Sequence, residues 1–159
     1  MGVHLPPFQS LVDAHWYDVA RLAHALAGPQ DGPDVAQQAW VQAYAAYPSL
    51  RSARNLRGWL LTITHRCAMD GHRARARRPV AVPDTTLAAG MPPVSAAEAP
   101  DDAVWGRVAA LPGRQRSAVV LRFVGDLDHA QIAAALGTTA ETSRRLLSDA
   151  LATLRKDLS

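Results

Sequence analysis

Residues 128–151 read DHAQIAAALGTTAETSRRLLSDAL, and they decide the fold class. Asp128 followed three positions later by Gln131 has the form of a capping box, in which each side chain bonds the other residue's backbone N–H. The spacing predicts a short helix from His129 to Leu136. Gly137 follows where a left-handed C-cap is needed, a conformation open to glycine without Cβ strain. Thr138 or Thr139 then caps a last helix running to about Leu158. Ile132, Ala133 and Leu136 on the first helix, with Leu147, Ala150, Leu151 and Leu154 on the second, make one apolar seam. A short helix, a tight glycine turn and a longer helix form a helix-turn-helix.

Upstream, the same grammar continues. Asp101 or Asp102 starts a short helix through Leu111, Pro112-Gly113 breaks it, and a further helix covers Arg114 to Val124. Gly125-Asp126-Leu127 is the turn before the capping box. From residue 79 to 100 the composition changes: five prolines among small residues, with Asp84 and Glu98 as the only charges. Such a stretch sustains neither a helix nor a core and reads as a flexible, extended linker.

The first half predicts three helices. Phe8, Leu11, Val12, Trp16, Val19, Leu22, Ala23 and Leu26 recur at helical spacing until Gly28-Pro29 stops the run. A second helix starts near Gly32-Pro33-Asp34, with an apolar face of Ala36, Trp40, Ala43, Tyr44 and Tyr47; Pro48 ends it. Off that face lie Asp34, Gln37, Gln38 and Val41. The loop from Ser49 to Arg54 leads to Asn55, an N-cap residue. The third helix buries Leu56, Trp59, Leu60, Ile63 and Cys67. The expected architecture is all-α: two small helical domains, 1–78 and 101–159, joined by the 79–100 linker.

Charge separates the halves. The 159 residues hold 17 Lys+Arg against 14 Asp+Glu, yet residues 1–78 alone hold nine Arg and five Asp. Residues 101–159 are nearly balanced, with eight basic and seven acidic groups. Lys156 is the only lysine, so the cations are almost all planar guanidinium forks suited to phosphate and guanine.

Several classes are excluded. Cys67 is the only cysteine, so neither an internal disulfide nor a multi-cysteine zinc site can form, and a reducing cytosol is the expected home. His65 and Cys67 lie two apart on a helix and cannot face one metal. No signal peptide and no bilayer-spanning run is expected. There is no glycine-rich phosphate loop, no His-Glu-x-x-His and no frame of paired carboxylates, so neither an enzyme nor a cofactor is expected.

Two constellations point to nucleic acid. Thr142, Arg144, Arg145 and Ser148 open the second helix of the helix-turn-helix, where side chains reach base edges and phosphates in a major groove. A structural hairpin with solvated arginines is the other reading. Arg66, Arg73, Arg75, Arg77 and Arg78 crowd the end of the third helix behind Trp59, against Asp70 alone. They suit a backbone-and-base contact surface, or serve to complement the helix macrodipole.

In order along the chain, these segments resemble extracytoplasmic-function (ECF) sigma factors. Asp34-Val-Ala-Gln-Gln-Ala-Trp40 is similar to the family's Asp-Leu-Val-Gln-Glu-Val-Phe in sigma region two. Asn55-Leu-Arg-Gly-Trp59-Leu60 resembles Asn-Pro-Arg-Ala-Trp-Leu. Leu111-Pro-Gly-Arg114-Gln-Arg116 resembles the Leu-Pro-x-Arg-x-Arg opening of region four, and Ile132-Ala133 through Leu136-Gly137 its helix-turn-helix. The resemblance implies that Asp34, Gln37, Gln38 and Val41 dock on core RNA polymerase. It implies that the 49–54 loop, Asn55, Trp59, Arg66 and Arg73 read the minus-ten element of promoter DNA as a single strand. Thr142, Arg144, Arg145 and Ser148 would read the minus-thirty-five element. An anti-sigma factor is the further partner implied. The chain departs from the pattern at Gln38 (usually an acid), Arg66 (usually Asn), Ser143 (usually apolar), and Leu146 and Asp149 (both usually Arg). Two alternatives stay open: a helix-turn-helix regulator working away from the sigma site, and a paralogue that binds polymerase or an anti-sigma partner without initiating.

Overall fold

The computed structural model describes residues 4–77 and 102–158, all of whose regular elements are helical. The linker expected at 79–100, Arg78 and the Asp101 cap lie outside the described residues, as do the side chains of Arg75 and Arg77. The chain divides into two compact units, Met1–Pro92 and Pro93–Ser159.

The first unit is built on α1 (Phe8–Ala46), a turn of 3-10 helix (Tyr47–Ser49) and α2 (Leu56–Arg77). α1 is two helical arms joined at Gly28, whose φ of 86° and ψ of 175° fall outside the helical region. Glycine takes that conformation without Cβ strain. The second arm starts earlier than the sequence suggests, at Pro29 rather than Gly32-Asp34. Pro29 supplies a preset φ and no N–H, both suited to a first helical turn. The reason for the early start is packing. Gly32 is buried, and a Cβ there would lie 3.0 Å from the His24 Cα, so the returning arm runs flush on the backbone of the first. Leu11, Val19, Leu22, Ala23 and Leu26 on the first arm, Val35, Ala36, Ala39 and Ala43 on the second, and Leu60, Leu61, Ile63, Cys67 and Ala68 on α2 form the core.

Asn55 caps α2 as expected: its Oδ1 accepts from the Gly58 N–H at 3.2 Å. Polar ties that the sequence reading missed fix α2 to α1. Arg57 Nε donates to Asp18 Oδ2 at 3.1 Å, and the same oxygen lies 3.2 Å from His15 Nδ1. Further along, His72 Nε2 is 3.0 Å from the Leu26 carbonyl, just before the Gly28 break.

The second unit contains α3 (Asp102–Ala109), α4 (Gly113–Phe123), α5 (His129–Leu136) and α6 (Ala140–Leu158). Val108, Leu111, Val119, Val120, Leu121, Leu127, Ile132, Leu147, Ala150 and Leu154 are its core. Both halves of the Asp128–Gln131 capping box are present, and Gly137 is left-handed at φ 67°. Thr139 is the residue that caps α6, its Oγ1 accepting from the Thr142 N–H at 3.1 Å. In the α4–α5 turn the left-handed residue is Asp126, at φ 54°, not Gly125. Gly125 is required for a different reason: a Cβ would come within 2.7 Å of the Leu121 carbonyl oxygen.

Candidate functional site

In the first unit the second arm of α1 presents Asp34, Gln37, Gln38 and Val41, all exposed. A helix turns about 100° per residue, so the four positions span roughly 100° of one face. The opposite face, Val35, Ala36, Ala39 and Ala43, is buried. The exposed ridge is therefore backed by a buried, alanine-rich seam. Val41 is 60% exposed, the one large apolar side chain of the four.

Tyr44 is the correction on this helix. The sequence reading put it on the apolar face, but it is 67% exposed. The buried seam centres on the alanines, which leaves Tyr44 at its edge, with its ring against Phe8 at 5.3 Å.

α2 carries the second group. It is continuous from Leu56 to Arg77. On its 3.6-residue period Trp59, Arg66 and Arg73 fall within about 40° of one another and extend over about 21 Å of axis. Arg66 and Arg73 are exposed and Trp59 is half-buried against Tyr47, their ring centroids 6.1 Å apart. Asn55 stands at the head of the same stripe with its Oδ1 engaged in capping. Arg73 sits 3.8 Å from Asp70, both well exposed, a pairing that screening leaves weak. Behind the stripe, burial and then the charge of Arg66 hold His65 down from 6.5 to about 4, so its ring is neutral near pH 7. Burial, with Asp70 adding to it and Arg66 opposing, lifts the Cys67 thiol to about 11, leaving it a packing group rather than a nucleophile.

In the second unit Arg144, Arg145 and Ser148 are exposed on α6, and Thr142 is half-buried with its Oγ1 accepting from Thr139. Glu141 and Asp149 are exposed on the same side of the helix. Arg145 lies four residues from each of them, so the cationic groups are interleaved with acids. Ser143 is fully buried, and its Oγ lies 3.1 Å from His129 Nδ1 at the start of α5. The polar residue at a core position is thus satisfied across the helix-turn-helix seam. Nothing in the local sequence signals it, because the partner is fourteen residues away on another helix.

Among the described residues no cluster of three or more His, Cys, Asp or Glu could hold a metal ion, and no helix is long and apolar enough to cross a membrane. A capped helix-turn-helix following a helical unit with an aromatic and cationic stripe defines a helical DNA-binding protein of two units. Residues 11–78 match the family described as Sigma-70 region 2, and residues 101–154 match Sigma-70, region 4. The chain belongs to the sigma-70 family, whose regions 2 and 4 it carries.

The chain is 31% identical over 147 residues to the "Probable RNA polymerase sigma factor RfaY" of Xanthomonas campestris pv. campestris. That match takes in 86% of this chain but 37% of the relative, so the chain spans little more than a third of its length. In fold it is similar to the sigma factor RpoE of Bartonella quintana, solved in complex with the anti-sigma factor NepR, with a TM-score of 0.74 and 19% identity over 97% of this chain and 98% of that one. It is also similar to CnrH, solved in complex with the cytosolic domain of CnrY, with a TM-score of 0.68 and 23% identity over 95% and 86%.

Proposed function

We propose that the chain is a dissociable specificity subunit that binds core RNA polymerase and directs initiation at particular promoters, acting in the cytoplasm. The carrying observation is the exposed ridge Asp34, Gln37, Gln38 and Val41 on an arm whose opposite face is fully committed to the core. Under this reading residues 1–78 bind the polymerase and read the minus-ten element, with Asn55, Trp59, Arg66 and Arg73 along one stripe. An extruded base stacks beside Trp59 while the guanidinium groups follow the strand's phosphates. Residues 101–159 read the minus-thirty-five element through Thr142, Arg144, Arg145 and Ser148, and 79–100 tethers the two. An anti-sigma protein is the regulatory partner this fold would accept, as its structural relative RpoE accepts NepR.

One observation favours a second reading. Exposed Glu141 and Asp149 beside Arg144 and Arg145 weaken phosphate attraction at α6. A paralogue that occupies polymerase or an anti-sigma partner without initiating would tolerate this. The deciding experiment adds the purified chain to sigma-free core polymerase with a promoter library and sequences the transcripts. Enriched start sites sharing two spaced elements support the proposal. Polymerase binding without selective transcripts favours the paralogue, and DNA binding without polymerase binding favours the lone regulator.

A further inference from the structure

Tyr47 sits where three parts of the first unit meet. It closes α1, its backbone N–H bonding the Ala43 carbonyl, and begins the 3-10 turn, its own carbonyl accepting from the Leu50 N–H at 3.1 Å. Its phenol O–H donates to the carbonyl of Pro6, forty-one residues earlier in the chain. Its ring is edge-on to Phe8 at 5.2 Å and tilted against Trp59 at 6.1 Å. With 8% of its surface exposed it can offer little to any partner directly. Its contacts instead tie the end of α1, where the chain turns towards the loop, to the N-terminal segment and to Trp59 on α2. The 49–54 loop leaves from the end of the 3-10 turn that Tyr47 begins and returns to Asn55, four residues before Trp59.

We propose that Tyr47 is a positioning residue for minus-ten reading, holding both ends of the 49–54 loop at a fixed span against the Pro6–Phe8 segment. This inference rests on the proposed reading of the first unit as the promoter-melting module. The physical ground is preorganisation. A loop that must receive an extruded base binds more selectively when its span is set before the base arrives, because less ordering is left to do on binding. Phe8 and the Pro6 carbonyl fix the phenol from one side, and the phenol fixes the Trp59 indole from the other. The N-terminal segment therefore belongs to the reading device without touching DNA.

The test uses full-length protein with core polymerase and templates randomised across the minus-ten element, scored as the ratio of initiation on the preferred sequence to that on single-base variants. Core-polymerase affinity is measured alongside. Tyr47→Leu should lower the ratio by roughly tenfold, below the roughly hundredfold that a full ångström of misplacement can cost, while polymerase affinity is retained. Tyr47→Phe keeps the rings and loses one hydrogen bond, so the ratio should fall only about two- to fivefold. A merely structural role would lower initiation on all templates alike and leave the ratio unmoved. If wild-type protein is selective and a folded Tyr47→Leu keeps its ratio, the inference is overturned and the function stands. If wild-type protein shows no selective initiation with core polymerase, the functional reading falls and takes the inference with it. Should Tyr47→Leu fail to fold, Tyr47→Phe decides: a reduced ratio supports positioning and an unchanged one refutes it.

Discussion

Acidification should destabilise the first unit through one residue, His65. It is 5% exposed in the middle of α2, and burial, reinforced by Arg66, lowers it from 6.5 to about 4. Depression of a base means that the folded state binds its proton less readily than the unfolded chain. Stability is therefore fully present above 6.5 and falls as pH drops from there towards 4, below which the loss levels off. The whole depression corresponds to about 3 kcal/mol, of which about 2 kcal/mol is already lost at pH 5. The measurement is urea unfolding followed by tryptophan fluorescence at pH 7.5 and pH 5.0, in a Trp105→Phe background. The signal then comes from Trp16, Trp40 and Trp59, all in the first unit. With a slope of about 1–2 kcal/mol per molar urea, the midpoint should drop by about 1–2 M on acidification.

The control is His65→Leu, which removes the titrating group and keeps an apolar fill. Its midpoint at pH 7.5 can move either way, because packing changes too. Its difference between the two pH values is what matters, and that should shrink by most of the 1–2 M. The rest of the first unit is common to both proteins, so its contribution cancels in that comparison. An equal acid sensitivity in parent and variant would refute the assignment of the effect to His65.

Changing Asp34, Gln37 and Gln38 together to Ala, Lys and Ala should leave the thermal unfolding energy within about half a kcal/mol, because all three are exposed. Co-purification with core polymerase should weaken; unchanged binding would mean that the docking face lies elsewhere. Ser143→Ala should cost about 1 kcal/mol by deleting the hydrogen bond to His129, seen as roughly fivefold lower amide-exchange protection in α5 and α6. Additive effects of Ser143→Ala and His129→Ala would show that the two residues are not coupled. Asp149→Arg combined with Leu146→Arg should steepen the salt dependence of duplex binding by about two log-log units. A flat response would place α6 away from the phosphates.

The fold was legible where a turn is written in neighbouring residues. Asp128 with Gln131, Gly137, and Pro112-Gly113 each specify a local geometry that needs no tertiary information, and each is found in place. Legibility failed where distant parts decide. Four punctuating residues, Gly28, Pro29, Gly32 and Pro33, could each have marked the start of the second arm. The outcome depends on Gly32 lying flush against His24, which no local pattern encodes. Tyr44 was misplaced for a related reason: aromatic size argued for the core, but a seam of small alanines draws the helices together and leaves the large ring at its margin. In the α4–α5 turn it is Asp126 that is left-handed, while Gly125 clears the Leu121 carbonyl, a division of roles that no neighbouring residue signals.

At the candidate site, residues could be named from sequence but the contacts that support them could not. Ser143 is the clearest case, since in sequence it is a polar residue at an apolar position of a weakened recognition helix. Buried against His129, it is instead a satisfied polar contact across the two helices of the motif. What remains unusual about α6 is its exposed face alone, where Glu141 and Asp149 offset Arg144 and Arg145. A helix with no net charge there draws little from counterion release, so any sequence preference it has must come from guanidinium forks and hydroxyls on base edges. The Arg66 and Arg73 stripe on α2 has only the exposed, weakly paired Asp70 against it. The balance of phosphate attraction therefore lies with the first unit, and salt should weaken promoter binding mainly through contacts made there.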